Sequence, residues 1–137
     1  MLPDCSGGPS SAIYTSRDGG TTWKKVLNPG LPNSPLGKID VAIAPTDSKR
    51  VYALIQTADQ GSLWRSDDGG NSWHDENWSR MLIGRAGYYI RLAVGTDNPD
   101  YVLVANSSFF RSTDGGKTFN EVPWGGDNHD IWIDPQL

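Results

Sequence analysis

The chain has 137 residues, 36% of them hydrophobic and 20% charged, with a formal net charge of −4; that is the length of one domain, enough to bury roughly two thirds of the surface an unfolded chain exposes. Lys and Arg are scattered rather than clustered, which leaves no electrostatic footprint for a nucleic acid. No apolar run approaches a bilayer span, so no membrane partner is expected, and Met1-Leu2-Pro3-Asp4 lacks the basic and apolar segments of a signal peptide.

Gly 16 and Pro 9 are high, and no stretch holds an apolar period of 3.6, a balance that favours many short strands joined by turns. Cys5 is the single cysteine, so neither an internal disulfide nor a thiol metal cluster is expected, and no cofactor is implied.

Three segments align without gaps: Ser16-Arg17-Asp18-Gly19-Gly20-Thr21-Thr22-Trp23, Ser66-Asp67-Asp68-Gly69-Gly70-Asn71-Ser72-Trp73, and Ser112-Thr113-Asp114-Gly115-Gly116-Lys117-Thr118-Phe119. They share the pattern S-x-D-G-G-x-[ST]-[WF]. Their first serines lie 50 and then 46 residues apart, the period of a four-stranded propeller blade. A second repeat runs in the same phase: Val41 through Asp47 and on to Ala53 matches Arg91 through Asp97 and on to Leu103 at an offset of 50, and a third copy starts at Ile131-Trp132-Ile133-Asp134-Pro135 and stops at Leu137.

In chain order, alternation and turn residues predict the outer hairpin of a first blade over 11 to 27. A full blade follows over 39 to 75, with strands near 39 to 44, 50 to 57, 62 to 66 and 71 to 75. A second full blade spans 88 to 122, and 129 to 134 is the first strand of the next. The fold class is therefore all-β: a partial propeller of four-stranded antiparallel blades, cut open at both ends.

Each octapeptide has a local reason. The carboxylates of Asp18, Asp68 and Asp114 accept hydrogen bonds from backbone amides just downstream, and glycines such as Gly20, Gly70 and Gly116 take positive φ. The hydroxyls of Ser16, Ser66 and Ser112 add a side-chain bond, while Trp23, Trp73 and Phe119 supply apolar plates expected to pack between blades. A calcium loop is the competing reading of Asp67-Asp68-Gly69-Gly70-Asn71, but the D-x-[DN]-x-[DN]-G ladder and distal Glu are missing.

The octapeptides resemble the Asp-box, or BNR, repeat of sialidases, propeller xyloglucanases, sortilin-like receptors and photosystem II assembly propellers. Gly61-Ser62-Leu63-Trp64-Arg65-Ser66, Phe110-Arg111-Ser112 and the stretch Gly126-Asp127-Asn128-His129-Asp130-Ile131-Trp132-Ile133-Asp134-Pro135 are similar to the secreted bacterial proteins grouped with sortilin and the xyloglucanases. The resemblance covers nearly the whole chain and implies a segment of a larger extracellular propeller. It transfers no catalytic residue, because the match is to repeat scaffolding. Arg85 and Arg91 alone do not make the three-arginine clamp of a sialidase.

Strand alternation puts the octapeptide turns on one face and the blade-to-blade connections, 28 to 38, 76 to 87 and 123 to 129, on the other. Sites form where loops from several blades converge. The longest connection carries Trp78, Arg80, Arg85, Tyr88 and Tyr89, suited to stacking on sugars or gripping a peptide carboxylate; one of the two tyrosines is equally expected to face the core. Trp124 and His129 in the last connection join this ligand-binding set.

Asp127, His129 and Asp130 are the densest ionisable cluster, and three readings stand side by side. Asp127 and Asp130 would be the acid and base of a glycosidase, His129 would contribute to a metal site, or Asp130 and His129 would hydrogen-bond loop backbone and neighbouring blades. His74-Asp75-Glu76 sits at an outer strand end. No Ser-His-Asp set, P-loop or zinc motif is present.

Three functions follow: a propeller module binding a protein or glycan, part of a secreted glycoside hydrolase acting on a polysaccharide, or a module whose copies self-assemble by completing each other's blades.

Overall fold

The structure is a computed structural model that describes residues 7–124 and 126–136. Residues 1 to 4, Cys5 and Leu137 lie outside the described residues. The chain is all-β, with no α-helix among the described residues. A short hairpin, β1 (Tyr14–Thr15) and β2 (Lys24–Lys25), precedes two four-stranded antiparallel sheets. The first runs β3 (Ile39–Ala44), β4 (Asp47–Ile55), β5 (Leu63–Ser66) and β6 (His74–Asn77); the second runs β7 (Arg91–Val94), β8 (Val102–Ala105), β9 (Phe109–Ser112) and β10 (Asn120–Val122). Each is a simple meander, the topology of a propeller blade.

The blades stack in sequence order, and this explains their apolar strands. In β4 both faces are buried: Val51, Ala53 and Ile55 pack with Trp64, Trp73, Ile13, Leu31 and Leu36 on the side of the hairpin. Tyr52 and Leu54, with Leu63 and Ala44, pack on Leu92, Val94, Val102, Val104 and Phe110 of the second blade. A strand sandwiched in this way loses the polar half of its alternation. The far face of the second blade, Leu103, Ala105 and Phe109, is covered by Ile131 and Ile133.

Polar bridges tie the two blades together. The innermost strands meet where the Leu92 amide donates to Asp40 Oδ2 at 2.8 Å. Further out Arg50 reaches Asp100 at 2.6 Å and Asp67 on its own blade, and the Tyr52 hydroxyl donates to the Pro99 carbonyl at 2.8 Å. The amide of Asn77 clasps the carbonyls of Gly116 and Lys117 at 3.1 and 2.8 Å, as Asn28 clasps Gly70 one blade earlier.

All three octapeptides close on one hydrogen-bond scheme. The serine hydroxyl donates to the Asp at 2.7–2.8 Å and accepts from the second Gly amide at 2.8–2.9 Å. The Asp then accepts from the backbone amide of Thr22, Ser72 or Thr118 at 2.8–2.9 Å and from its hydroxyl at 2.5–2.6 Å. Both glycines sit at φ 70 to 91° in every copy, where a Cβ is strained. Trp23 and Trp73 fold back and donate Nε1 to the Gly20 and Gly70 carbonyls at 3.0 and 3.1 Å.

The bonds from these hydroxyls and amides hold Asp18, Asp68 and Asp114 at a pKa of about 2. A pKa lowered in the folded state contributes stability above the ordinary carboxylate range, near 3.9, and that contribution is lost as pH falls through the folded value. Asp127 adds the same sign, and so does Asp67, where Arg65 and Arg50 outweigh burial; Asp75, raised by burial, opposes it. The melting temperature is therefore expected to fall steepest between pH 4 and 2. Asp68→Asn should flatten that fall, and an unchanged slope would remove the turn carboxylates as its cause.

Four expectations change. The second repeat is equivalent at an offset of 51, not 50: Val41 pairs with Ala53 and Leu92 with Val104, and the turn bonds from Lys49 to Asp47 and from Asp100 to Asn98 obey the same spacing. A one-residue slip exchanges the two faces of a strand, so Val41 corresponds to Leu92 rather than to Arg91. Trp23 does not pack between blades but is 62% exposed, whereas Trp73 is buried and Phe119 half-buried. Residues 71–73 belong to the turn, so the fourth strand begins at His74. Residues 129 to 134, expected as a strand, have no ladder: no described segment lies beside them to supply the bonds, and Ile131 and Ile133 dock by side chain alone.

Candidate functional site on the connecting-loop face

Three connections come together beside the innermost strands. Lys38, entering β3, donates its Nζ to the Tyr88 carbonyl at 2.5 Å, Tyr89 lies just before β7, and Arg91 Nε donates to the His129 carbonyl at 3.1 Å. The connection between the blades is anchored by a 3₁₀ turn, Arg80–Ile83, whose Leu82 and Ile83 plug the core between them. Arg80 donates to the Thr57 carbonyl at 2.7 Å, which ties the connection to the first blade. Buried Asn106 reaches across from the β8–β9 turn and donates to the Met81 and Leu82 carbonyls, both at 3.1 Å.

Within this frame Tyr89 is buried and Tyr88 is 65% exposed, and neither belongs to a strand. The Tyr89 hydroxyl donates to Asp127 Oδ1 at 2.7 Å, and its ring stacks on His129 at 4.1 Å with an 18° interplanar angle. Tyr88 stands edge-on to both, at 5.3 Å from Tyr89 and 5.6 Å from His129. Asp127 adopts φ 61°, held by its amide bond to the Ser107 carbonyl, while the Asn128 amide bonds the Asn106 carbonyl. This turn aims the second Asp127 oxygen toward His129 Nε2 at 3.7 Å.

The electrostatics follow the geometry. Burial and then the neighbouring Asp127 push the Tyr89 hydroxyl up to about 12. Asp127 is held below the ordinary carboxylate range, first by the Tyr89 hydrogen bond, which outweighs its desolvation, and then by the charges of His129 and Arg85. Asp127 is therefore an ionised acceptor and not a stored proton. The Asp130 Oδ1 accepts from the Ile131 amide at 2.9 Å, the backbone role weighed for it from sequence.

The arrangement offers an aromatic shelf, an anionic acceptor and the exposed guanidinium of Arg85 nearby. It gathers Tyr88, Tyr89, Asp127 and His129. Trp78 is exposed earlier in the connection and has no ring contact among the described residues, and Trp124 instead tilts onto Phe109 at 5.3 Å. Among the described residues no group of three His, Cys, Asp or Glu is placed to hold a metal. Asn106 and Lys38 were not singled out from sequence; Asn106-Ser107-Ser108 between two apolar runs is a turn signal that points to the first.

No family model matches the chain. The chain is similar to xyloglucanases. It is 30% identical over 129 residues to the xyloglucanase Xgh74A of Acetivibrio thermocellus, covering 85% of this chain and 15% of that protein. It is 26% identical over 140 residues to a xyloglucanase from a Paenibacillus species, covering 83% and 13%. The chain thus spans about 15% of the length of the curated relatives it matches. Among solved structures, the GH74 enzyme of Niastella koreensis aligns with a TM-score of 0.52 at 24% identity, over 66% of this chain and 15% of that one. An ancestral GH74 enzyme aligns with a TM-score of 0.52 at 17% identity, over 93% and 20%. At these identities the structural likeness speaks to the fold, a portion of a propeller.

Proposed function

We propose that this chain is a segment of an extracellular Asp-box propeller, related to glycoside hydrolases, whose connecting-loop face holds a polysaccharide. The observation that carries the reading is the convergence of exposed Tyr88, His129 and Asp127 from two connections over the buried ring of Tyr89. Aromatic edges and faces pack on the C–H faces of sugar rings, while an ionised carboxylate and a guanidinium pair with hydroxyls. The names of the curated relatives make xyloglucan the first ligand to try, with unbranched β-glucan as the comparison.

Affinity electrophoresis through a gel containing xyloglucan is the test. The chain is expected to be retarded, and Tyr88→Ala to weaken the interaction about two- to twelve-fold, the equivalent of ~0.5–1.5 kcal/mol for one aromatic contact. No retardation of the parent chain, or equal retardation of the variant, would discard the shelf as a glycan site. A protein ligand, the sortilin-like reading, is compatible only with the first of these results.

A share in hydrolysis is the second reading, favoured by the relatives' activity. It requires a partner carboxylate roughly 5 to 9.5 Å across the scissile bond. Asp127, ionised and bonded to Tyr89, suits the base or the nucleophile and not the acid. Release of reducing ends that survives Asp127→Asn would exclude it.

A further inference from the structure

The two oxygens of the Asp127 carboxylate are not equivalent. Oδ1 accepts from the hydroxyl of buried Tyr89 at 2.7 Å. Oδ2 faces His129 Nε2 at 3.7 Å, on a side chain that is 63% exposed. That separation suits attraction between charges and is too long for a hydrogen bond, so Oδ2 is the oxygen open to a sugar hydroxyl. Both partners are held from behind. The Asp127 and Asn128 amides donate to the Ser107 and Asn106 carbonyls, and Arg91 Nε donates to the His129 carbonyl. The imidazole lies on the Tyr89 ring at 4.1 Å with Tyr88 edge-on at 5.6 Å. From this place it needs to move only about 1 Å to reach the distance of a charge-assisted bond to Oδ2.

The charges around the ring come from three elements. Asp127 and Asp130 share its own segment, with Asp130 Oδ1 on the Ile131 amide. Arg85 stands in the connection between the blades and acts by charge on Asp127 and Tyr89. Arg91 comes from β7, and Lys38, entering β3, puts its Nζ on the Tyr88 carbonyl. Carboxylate, guanidinium and ammonium groups as types hold their charge between pH 5 and 8, and histidine is the type that does not. The Tyr89 bond holds Asp127 below the ordinary carboxylate range, and burial pushes the Tyr89 hydroxyl up to about 12, so neither changes its charge in that interval. An imidazolium would also gain from the tyrosine faces beside it.

We propose that His129 regulates the shelf: on taking up a proton its ring closes on Asp127 Oδ2 and withdraws that oxygen from the ligand. The face then holds polysaccharide in neutral medium and releases it in acid. This inference rests on the glycan reading of the shelf. The second histidine of the chain, His74, pairs with Glu76 on β6 and has no part in it.

Isothermal titration with xyloglucan oligosaccharides is expected to show affinity falling about tenfold from pH 8 to pH 5, the size of one lost hydrogen bond to a charged group. In His129→Gln the ratio between the two conditions is expected to stand near one, whatever the affinity of the variant at the higher pH. A second measurement needs no ligand. Asp127→Asn keeps a residue type that tolerates φ 61°, and should lower the midpoint of the His129 ring in an NMR titration by about one pH unit, the lower end for an opposite charge at close range. Equal parent affinity at both pH values, a fall that His129→Gln retains, or an unmoved ring midpoint would each overturn the switch and leave the glycan reading standing. Absence of binding under both conditions is the distinct result that discards the glycan reading, with the ring midpoint still deciding whether His129 pairs with Asp127.

Discussion

Trp64→Ala is expected to lower the unfolding free energy by about 3–5 kcal/mol, the range for removing a fully buried aromatic side chain. Trp64 is the largest fully buried side chain, packed with Val51, Ala53, Ile55 and Trp73 where the hairpin closes on the first blade. Small domains hold about 5–15 kcal/mol in total, so the variant is expected to be partly unfolded at room temperature. The cavity would open on the seam between hairpin and blade, where the Trp73 amide donates to the Pro29 carbonyl and Asn28 reaches Gly70. Little can collapse into it, because Ala53 is directly paired with Trp64 and offers no bulk. Urea unfolding of the variant beside Trp78→Ala, an exposed position where the change should stay within about 0.5 kcal/mol, separates burial from the loss of an indole as such. Equal midpoints for the two would show that the seam does not hold the fold.

Asn106→Ala has the second largest effect, and it reaches the candidate site. The side chain is buried, donates to the Met81 and Leu82 carbonyls and accepts from the Ser108 amide. Truncation leaves the buried Leu82 carbonyl without this partner, at about 1–3 kcal/mol, and ends two part-buried bonds that water can replace in part, at about 0.5 kcal/mol each, so a loss of about 2–4 kcal/mol is expected. The consequence should be local before it is global. Amides of the connection that carries the tyrosines, such as Ala86 to the Ile83 carbonyl and Tyr89 to the Arg85 carbonyl, are expected to exchange hydrogen faster than those of β4. Affinity for xyloglucan, if the shelf binds it, should fall although no residue of the shelf has changed. Uniform acceleration of exchange across both blades would instead mean that Asn106 supports the core alone.

Much of the glycan reading was weighed from the residue types in the connections, yet the grouping was not. Tyr89 and Asp127 are 38 residues apart and are joined by one hydrogen bond. Nothing in either segment specifies the other, and Arg80, of the same apparent kind as Arg85, is tied to the Thr57 carbonyl. Whether a polar side chain is free for a ligand depends on which carbonyls tertiary packing leaves beside it.

The sequence by itself determined the parts that close within a few residues. An octapeptide in which Ser, Asp and two glycines satisfy one another's hydrogen bonds needs no distant partner, so three copies announced both the turn and the blade period. The antiparallel meander followed from that period. Tertiary structure alone decided the repeat offset of 51, because strand register answers to which face the neighbouring blade buries, and a slip of one residue preserves local pattern while reversing every side chain. It also decided that Trp73 is core while Trp23 is surface. The two residues have the same local turn, and among the described residues only Trp73 has a preceding blade element to pack against.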